Sequence, residues 1–466
     1  MSNQTIKRYL SLSLILITLF ALTPLGAMAQ QRPRTAEPNA PSLTQPTVIT
    51  RPAQPAGVPT ATGVAPDIAQ PSYEPVVTGA RGVLVETLDG RVLMEQTADV
   101  ALNPASGVKL ATALTALRSF GADHRFLTAV WSDGTFDKAS GTLNGDLIVS
   151  GRDPSFHYEH AVMLAAELNR LGIRTVTGDL IVAPRFTMNF DWSSQRSGDQ
   201  LYDTLDASRR SAAATRAWLG QRAAVGDTAN LQSVPSVSVM GAVYVDSVPA
   251  KSRMLLTHKS SKLTDVLKAL LCYSNNFMAE RIGDTLGGAE GVRQMMIKSF
   301  GINPADIKLA STSGLGVNRV TPRAMMKIFR SLRDELARYR MSPADIMPVA
   351  GIDPGTLEKR YTIAPSRGSV IAKTGTLIRT DGGASALVGQ MRTASGETLL
   401  FVIFNMYGNV LRFREYQDAL VSQIQSTHGG PAPFKYQQQP LSLRLAGTQL
   451  NSPQPTRQDE YEPGAN

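Results

Sequence analysis

The chain reads as an α+β protein. Three observations predict it. Two β-rich runs near the start of the body and three near its end supply strands enough for one antiparallel sheet. Helical periodicities follow the first pair and fill residues 263–340, and a last amphipathic stretch covers Leu411 to Ile424. A block with strand and helix signals of its own lies between them, over residues 122–253, and reads as an inserted domain.

Taking the elements in order, Gly82 to Gln96 is two β-rich runs around Asp89-Gly90, a pair that tolerates the positive φ angles of a two-residue hairpin turn. After Asn103-Pro104-Ala105 the period changes. Leu110, Ala113, Leu114 and Leu117 form an apolar stripe at helical spacing, so a helix begins at or near Ser106. In the insert, Gly145-Asp-Leu-Ile-Val149 recurs as Gly178-Asp-Leu-Ile-Val182, with a helical pattern over 159–171 between them. Two copies fall short of the three a solenoid needs. Strands over 368–377, 385–391 and 397–406 and the helix over 411–424 close the body, giving a five-stranded antiparallel sheet flanked by helices, in a domain made of segments 76–121 and 254–428.

The ends have a different composition. Residues 1–29 have the form of an export signal, with Lys7 and Arg8, an apolar stretch from Leu10 to Leu25 and a small-residue site at Ala27-Met28-Ala29. An uncleaved anchor is the alternative, against which stand the short length and Pro24. Residues 30–75 and 429–466 are rich in Pro, Gln and other residues that bury little, and read as a disordered linker and tail. The expected location is the periplasm or cell envelope, with any membrane association peripheral. One cysteine, Cys272, excludes an intrachain disulfide. It closes an apolar helical run and reads as a buried, inert thiol. The net charge of +9 comes without Lys/Arg runs interleaved with aromatics, so nucleic acid is not an expected partner.

Three short strings carry the chemistry: Ser106-Gly107-Val108-Lys109, Ser274-Asn275-Asn276 and Lys373-Thr374-Gly375, each present once and in that order. Residues three apart on a helix share a face, so Ser106 and Lys109 meet. A Ser hydroxyl is a poor nucleophile and an isolated Lys is protonated at neutral pH. Desolvation beside a second cation, for which Lys373 is the candidate, would free the Lys109 amine to take the Ser106 proton. The Ser106 N–H at the helix start and the N–H of Thr376 beyond Gly375 are the expected oxyanion donors. Gly375 would let a substrate backbone approach the strand edge. Thr374 and Thr376 offer hydroxyls to a carboxylate, with Lys373 as its counter-charge. Asn276 can accept from Lys109 and donate to a substrate carbonyl, and Ser274 can relay a proton to a leaving amine. Each string alone has a plainer reading: Ser106 as an N-cap, Lys373 as an edge-strand charge, Ser274 and Asn276 as helix caps. Their joint occurrence favours catalysis.

That set of strings is the fingerprint of acyl-serine enzymes acting on wall peptides and penicillins, and over residues 80–425 the chain resembles the penicillin-binding D-alanyl-D-alanine carboxypeptidase/endopeptidase family, whose members carry a large insert between the first two motifs. Asn103-Pro104-Ala105-Ser106, the two Gly-Asp-Leu strands, Asp153-Pro154, Leu256-Thr257-His258-Lys259-Ser260, Ser313-Gly314-Leu315 with Asn318-Arg319, and Thr321-Pro322 extend the match. The resemblance implies an acyl-enzyme on Ser106 formed with peptidoglycan stem peptides or crosslinks, covalent inhibition by β-lactams, and no cofactor or metal. The chain departs from the family in three places. Ser106 and Ser274 are 168 positions apart, a short insert; Ser311-Thr312 replaces an Asp-Gly pair; and Leu377 to Gly383 differs from the usual run. A serine β-lactamase and a catalytically silent wall-binding scaffold are the competing readings. His157 and His160, around Tyr158-Glu159, invite a metal reading, but without further ligands they read as surface residues. Trp131, Trp192 and Trp218 are open between packing and a ligand platform.

Overall fold

A computed structural model describes residues 77–227 and 234–452. The stretches expected to be an export signal (1–29) and a linker (30–75) lie outside the described residues, as do residues 453–466 of the expected tail.

The expected five-stranded antiparallel sheet is present, in the spatial order Val370–Leu377, Ala384–Arg392, Thr398–Met406, Ala80–Thr87, Val92–Gln96. Side chains alternate across it. Leu84, Ile371, Val388, Leu400, Val402 and Phe404 face one buried cluster with the helices Val108–Phe120, Leu263–Tyr273 and Pro322–Arg338. Val83, Val85, Val370, Phe401 and Ile403 face another with Tyr416, Leu420, Val421 and Ile424 of the terminal helix Val410–Thr427. The first hairpin differs from the expected two-residue turn. Only Gly90 takes a positive φ, 94°, and the Thr87 N–H bonds to the Arg91 carbonyl at 2.9 Å, so the loop has three residues with glycine at its left-handed position.

The Val108–Phe120 helix runs through the middle of the domain, buried on every side from Val108 to Leu117. Ser106 sits just before it, in a 3₁₀ turn over Ala105–Gly107. Ala105 has φ 46°, a left-handed conformation uncommon for alanine, stabilised by its N–H bonding to Asn103 Oδ1 at 2.9 Å.

The insert is built on three stacked turns of chain rather than two. Leu147–Gly151, Leu180–Val182 and Val243–Val245 pair in parallel, and behind them Thr142–Asn144, Thr175–Val176 and Ser238–Val239 do the same. At the first two corners an Asp caps the next turn: Asp146 Oδ1 accepts from the Asp179 N–H at 2.8 Å, and Asp179 Oδ1 from the Ala242 N–H at 2.7 Å. The third corner, Gly241-Ala242, has lost the aspartate and with it the sequence signal. Leu127–Ser132 and Arg253–Lys259 extend the front sheet, so the boundary placed at 253/254 cuts across a strand of the insert.

Residues 429–452, expected to be disordered, are folded. A short helix, Leu441–Leu445, and a strand, Gln449–Asn451, end the described chain, the strand pairing with Arg253–Lys259. Phe434, Tyr436 and Leu445 pack on the main core and Leu450 on that of the insert. His157 and His160 are not on an exposed face either. Both cap the helix Tyr158–Arg170, His160 Nδ1 accepting from the His157 N–H at 3.0 Å, and His160 is buried beside His258.

Candidate active site

The three strings converge. Lys109, one turn beyond Ser106, is fully buried, and its Nζ lies 2.9 Å from Ser106 Oγ, 2.7 Å from Asn276 Oδ1 and 2.5 Å from the Ser313 carbonyl. Two of those partners can only accept. A neutral amine has two N–H donors and one lone pair, so with its donors on Asn276 and Ser313 its lone pair is left for the hydroxyl of Ser106. Burial, and after it the neighbouring charge of Lys373, push the Lys109 ammonium well below its ordinary range, with Glu280 opposing. Ser106 caps no helix; no side-chain cap bond is made at either the 3₁₀ turn or the helix that follows.

Ser274 ends the helix Leu263–Tyr273 in a left-handed conformation, φ 55°, and the next helix, Asn276–Thr285, begins two residues on. The capping duty falls on the middle residue: Asn275 accepts from the Met278 N–H at 3.0 Å. Ser274 and Asn276 are thereby released from it. Lys373 Nζ donates to Ser274 Oγ at 2.8 Å and to the Thr374 carbonyl at 2.6 Å; burial pushes this lysine down to about 7. Each of two lysines therefore contacts a serine. Cys272, fully buried, is pushed up to about 12 by burial and stays a thiol.

The Val370–Leu377 strand forms the sheet edge, and part of that edge is already covered. Ala350 N–H donates to the Val370 carbonyl at 2.9 Å and Ala372 N–H to the Pro348 carbonyl at 3.3 Å. Alternation along an antiparallel strand then turns the N–H groups of Thr374 and Thr376 to the same outer side. Gly375 acts differently from expectation. A Cβ there would meet the Pro104 carbonyl oxygen at 2.5 Å and Ala105 Cβ at 3.0 Å, so the missing side chain admits the serine-bearing turn rather than a ligand. Thr376 Oγ1 donates to the Gly375 carbonyl at 2.8 Å and accepts from the Arg414 guanidinium at 2.9 Å.

Residues outside the strings complete the site. Gly314, at φ 88°, lies where a Cβ would strike the Ala105 carbonyl oxygen at 1.9 Å. Asp381, in the divergent segment after Thr376, takes a two-pronged contact from Arg319, at 2.7 and 2.8 Å, and accepts from Asn103 Nδ2 at 2.8 Å. Through Asn103 it braces the turn that carries Ser106. Glu280 bonds the Thr312-Ser313 backbone. Its only sequence signal is helical spacing, four residues after Asn276. From the insert, Phe190 and Trp192 stack edge-on against Phe277, beside Asn276, with the Arg281 guanidinium 4.7 Å from the Trp192 ring. Trp218 is packed inside and Trp131 Nε1 donates to Ser150. Among the described residues no group of three or more His, Cys, Asp or Glu is placed to hold a metal ion.

Comparison with known proteins points the same way. A family profile described as D-Ala-D-Ala carboxypeptidase 3 (S13) matches residues 64–232 and 229–425. A D-alanyl-D-alanine carboxypeptidase of an Actinomadura species is 27% identical over 81% of this chain and 83% of its own length. A carboxypeptidase of Mycobacterium tuberculosis is 25% identical over 79% and 85%. A predatory endopeptidase from Bdellovibrio bacteriovorus, solved acylated by penicillin G with an immunity protein bound, shares the fold. Its TM-score is 0.66 at 23% identity, over 77% of this chain and 95% of that one. Penicillin-binding protein 4 from Haemophilus influenzae aligns with a TM-score of 0.56 at 20% identity, over 74% and 96%.

Proposed function

The chain belongs to the D-Ala-D-Ala carboxypeptidase S13 family of serine-type hydrolases, and from that premise we propose that it cleaves peptidoglycan stem peptides or their crosslinks through an acyl-enzyme on Ser106. The observation that carries the reading is the set of partners around Lys109 Nζ: two carbonyl oxygens and one hydroxyl, that of Ser106. Lys109 takes the Ser106 proton as Oγ adds to the carbonyl of the penultimate D-Ala. The N–H groups of Ser106 and Thr376 receive the negative charge that forms on the carbonyl oxygen. Collapse breaks the peptide bond, and Ser274, backed by Lys373, hands a proton to the departing amine and regains one from Lys109, which returns to its neutral form. Water then attacks the ester with Lys109 again as base, which frees Ser106. A β-lactam would follow the same first step, but its amide nitrogen stays tethered to the acyl group, so no leaving group vacates the site for water.

The lactamase alternative needs a free base for fast deacylation. Glu280 is the carboxylate whose charge reaches Lys109, and both its oxygens are occupied by Thr312 and Ser313. A pentapeptide ending in D-Ala-D-Ala and a crosslinked muropeptide dimer, each incubated with the protein and with Ser106→Ala, test the proposal. The expected result is Ser106-dependent release of D-Ala, cleavage of the dimer, or both. Binding of both substrates with no cleavage would support the silent scaffold instead. Action on wall peptides requires export, which the signal read over 1–29 would supply. An N-terminus at Gln30 in the protein recovered from the envelope would support that location, and recovery of the intact chain from the cytosol would count against it.

A further inference from the structure

One carboxylate outside the three strings acts through its charge on the reacting lysine. Glu280 follows Asn276 by four residues on the helix Asn276–Thr285, so both side chains leave the same face. Asn276 places its Oδ1 on Lys109, while Glu280 reaches the adjoining loop. Glu280 Oε1 accepts from the Ser313 N–H at 2.9 Å; Oε2 accepts from the Thr312 hydroxyl at 2.7 Å and the Thr312 N–H at 3.3 Å. Ser313 then presents its carbonyl to Lys109 at 2.5 Å. A single residue thus carries the carboxylate on its N–H and the lysine on its carbonyl.

The rest of the loop is held to the same purpose. Thr112, on the serine-bearing helix, donates to the Thr312 carbonyl at 2.7 Å. Gly283 leaves a notch for Thr312, since a Cβ there would meet the Thr312 side chain at 2.3 Å. Ser311-Thr312 is the pair that departs from the family pattern, and Thr312 supplies two of the three donors to Glu280, its hydroxyl and its N–H. The charged groups acting on Lys109 from the elements around it are Lys373, from the edge strand, and Glu280, from the helix; one disfavours the ammonium and the other favours it.

We propose that Glu280 is a positioning residue: it clamps the Ser313 carbonyl onto Lys109 Nζ and holds a negative charge within reach of that amine, opposing Lys373. The proposal rests on the acyl-serine reading above. It gives Glu280 two separable effects, one on the rate plateau through geometry and one on the pH at which the rate rises through charge.

The test is the second-order rate of Ser106 acylation by a fluorescent penicillin, measured on the full chain between pH 5 and 9. In Glu280→Gln the acid limb should move about one pH unit toward lower pH, because the charge that favoured the ammonium is gone, and the plateau should fall roughly tenfold. Glu280→Asp keeps the charge but is one methylene shorter, so its limb should stay near that of the wild type while its plateau falls. A lowered plateau with an unmoved limb in Glu280→Gln would mean a purely structural role and overturn the proposal, as would an alkaline shift. If Glu280→Gln does not fold, Glu280→Asp decides, since an unchanged plateau in that variant contradicts the clamp. Absence of any Ser106-dependent adduct in the wild type would instead defeat the acyl-serine reading itself.

Discussion

Lys268→Met should destabilise the catalytic domain selectively. Lys268 Nζ donates to the carbonyls of Ala344 and Met347, at 2.7 and 2.6 Å, and to Asp353 Oδ2 at 2.6 Å; both partners of the ion pair are at most 2% exposed. Asp353 also accepts from the Val349 N–H at 2.8 Å and the Tyr436 hydroxyl at 2.7 Å. The cluster ties the segment that covers the sheet edge to the helix before Ser274 and to the folded C-terminal stretch. Methionine fills the volume but leaves the carboxylate without a counter-ion and two carbonyls without a donor. Breaking a buried pair on one side costs about 3–5 kcal/mol. With a urea m-value of about 2–3 kcal/mol/M, the midpoint should fall by about 1–2 M. The three tryptophans, at 131, 192 and 218, all lie in the insert, and Trp192 also packs on Phe277 of the catalytic domain, so their fluorescence follows the insert with a share from that contact, while penicillin-binding capacity follows the catalytic domain. The capacity midpoint should drop by the full amount and the fluorescence midpoint by less. Lys268→Met with Asp353→Asn should recover about half of the loss. A single-variant cost below about 1 kcal/mol would show that the pair does not hold these segments together.

Three other outcomes are expected. Gly314→Ala places a Cβ against the Ala105 carbonyl at an unfavourable φ, so stopped-flow acylation of Ser106 should slow about a hundredfold or more; normal acylation would contradict the account of the turn. Arg414 touches Thr376, with Asp418 the carboxylate that acts on its charge, so Arg414→Ala should lower kcat/KM for a peptide with a free terminal carboxylate roughly tenfold more than for its amide. In the insert, burial pushes the Asp153 carboxyl up to about 6 from 3.8, against the bonds from Ser155. A raised carboxyl contributes stability that is present below the unfolded value and lost as pH rises through about 6. Asp153→Asn should therefore gain roughly 2 kcal/mol on the wild type between pH 4 and 7, seen as a rising difference in the tryptophan-monitored midpoint. A flat difference would count against it.

The sheet, the serine helix and the three strings were legible because each has a local signature: alternation in the strands, a 3.6-residue stripe in the helix, and fixed spacings within the strings. What stayed hidden depends on contacts between distant segments. Glu280 belongs to no string, and its partners Thr312 and Ser313 lie some thirty positions on. The third turn of the insert lacks the corner aspartate that marked the first two. Residues 429–452 have a composition that buries little, yet a few apolar residues such as Leu441 and Leu450 are enough once two finished cores offer a surface. His157 and His160 look like an exposed helix start because nothing nearby in sequence announces that Phe156, Phe190 and His258 enclose them. Gly375 reads in the sequence as room for a substrate, and only the folded turn shows that Pro104 and Ala105 use the space.

The central claim is that Ser106, activated by Lys109, becomes acylated. The most direct measurement is peptide mass mapping after incubation of the protein with penicillin, alongside Ser106→Ala and Lys109→Met. The account predicts one penicilloyl adduct, on the peptide containing Ser106, absent in the first variant and slowed at least a hundredfold in the second. An adduct on another residue, or labelling of Ser106 that survives loss of Lys109 unslowed, would contradict it.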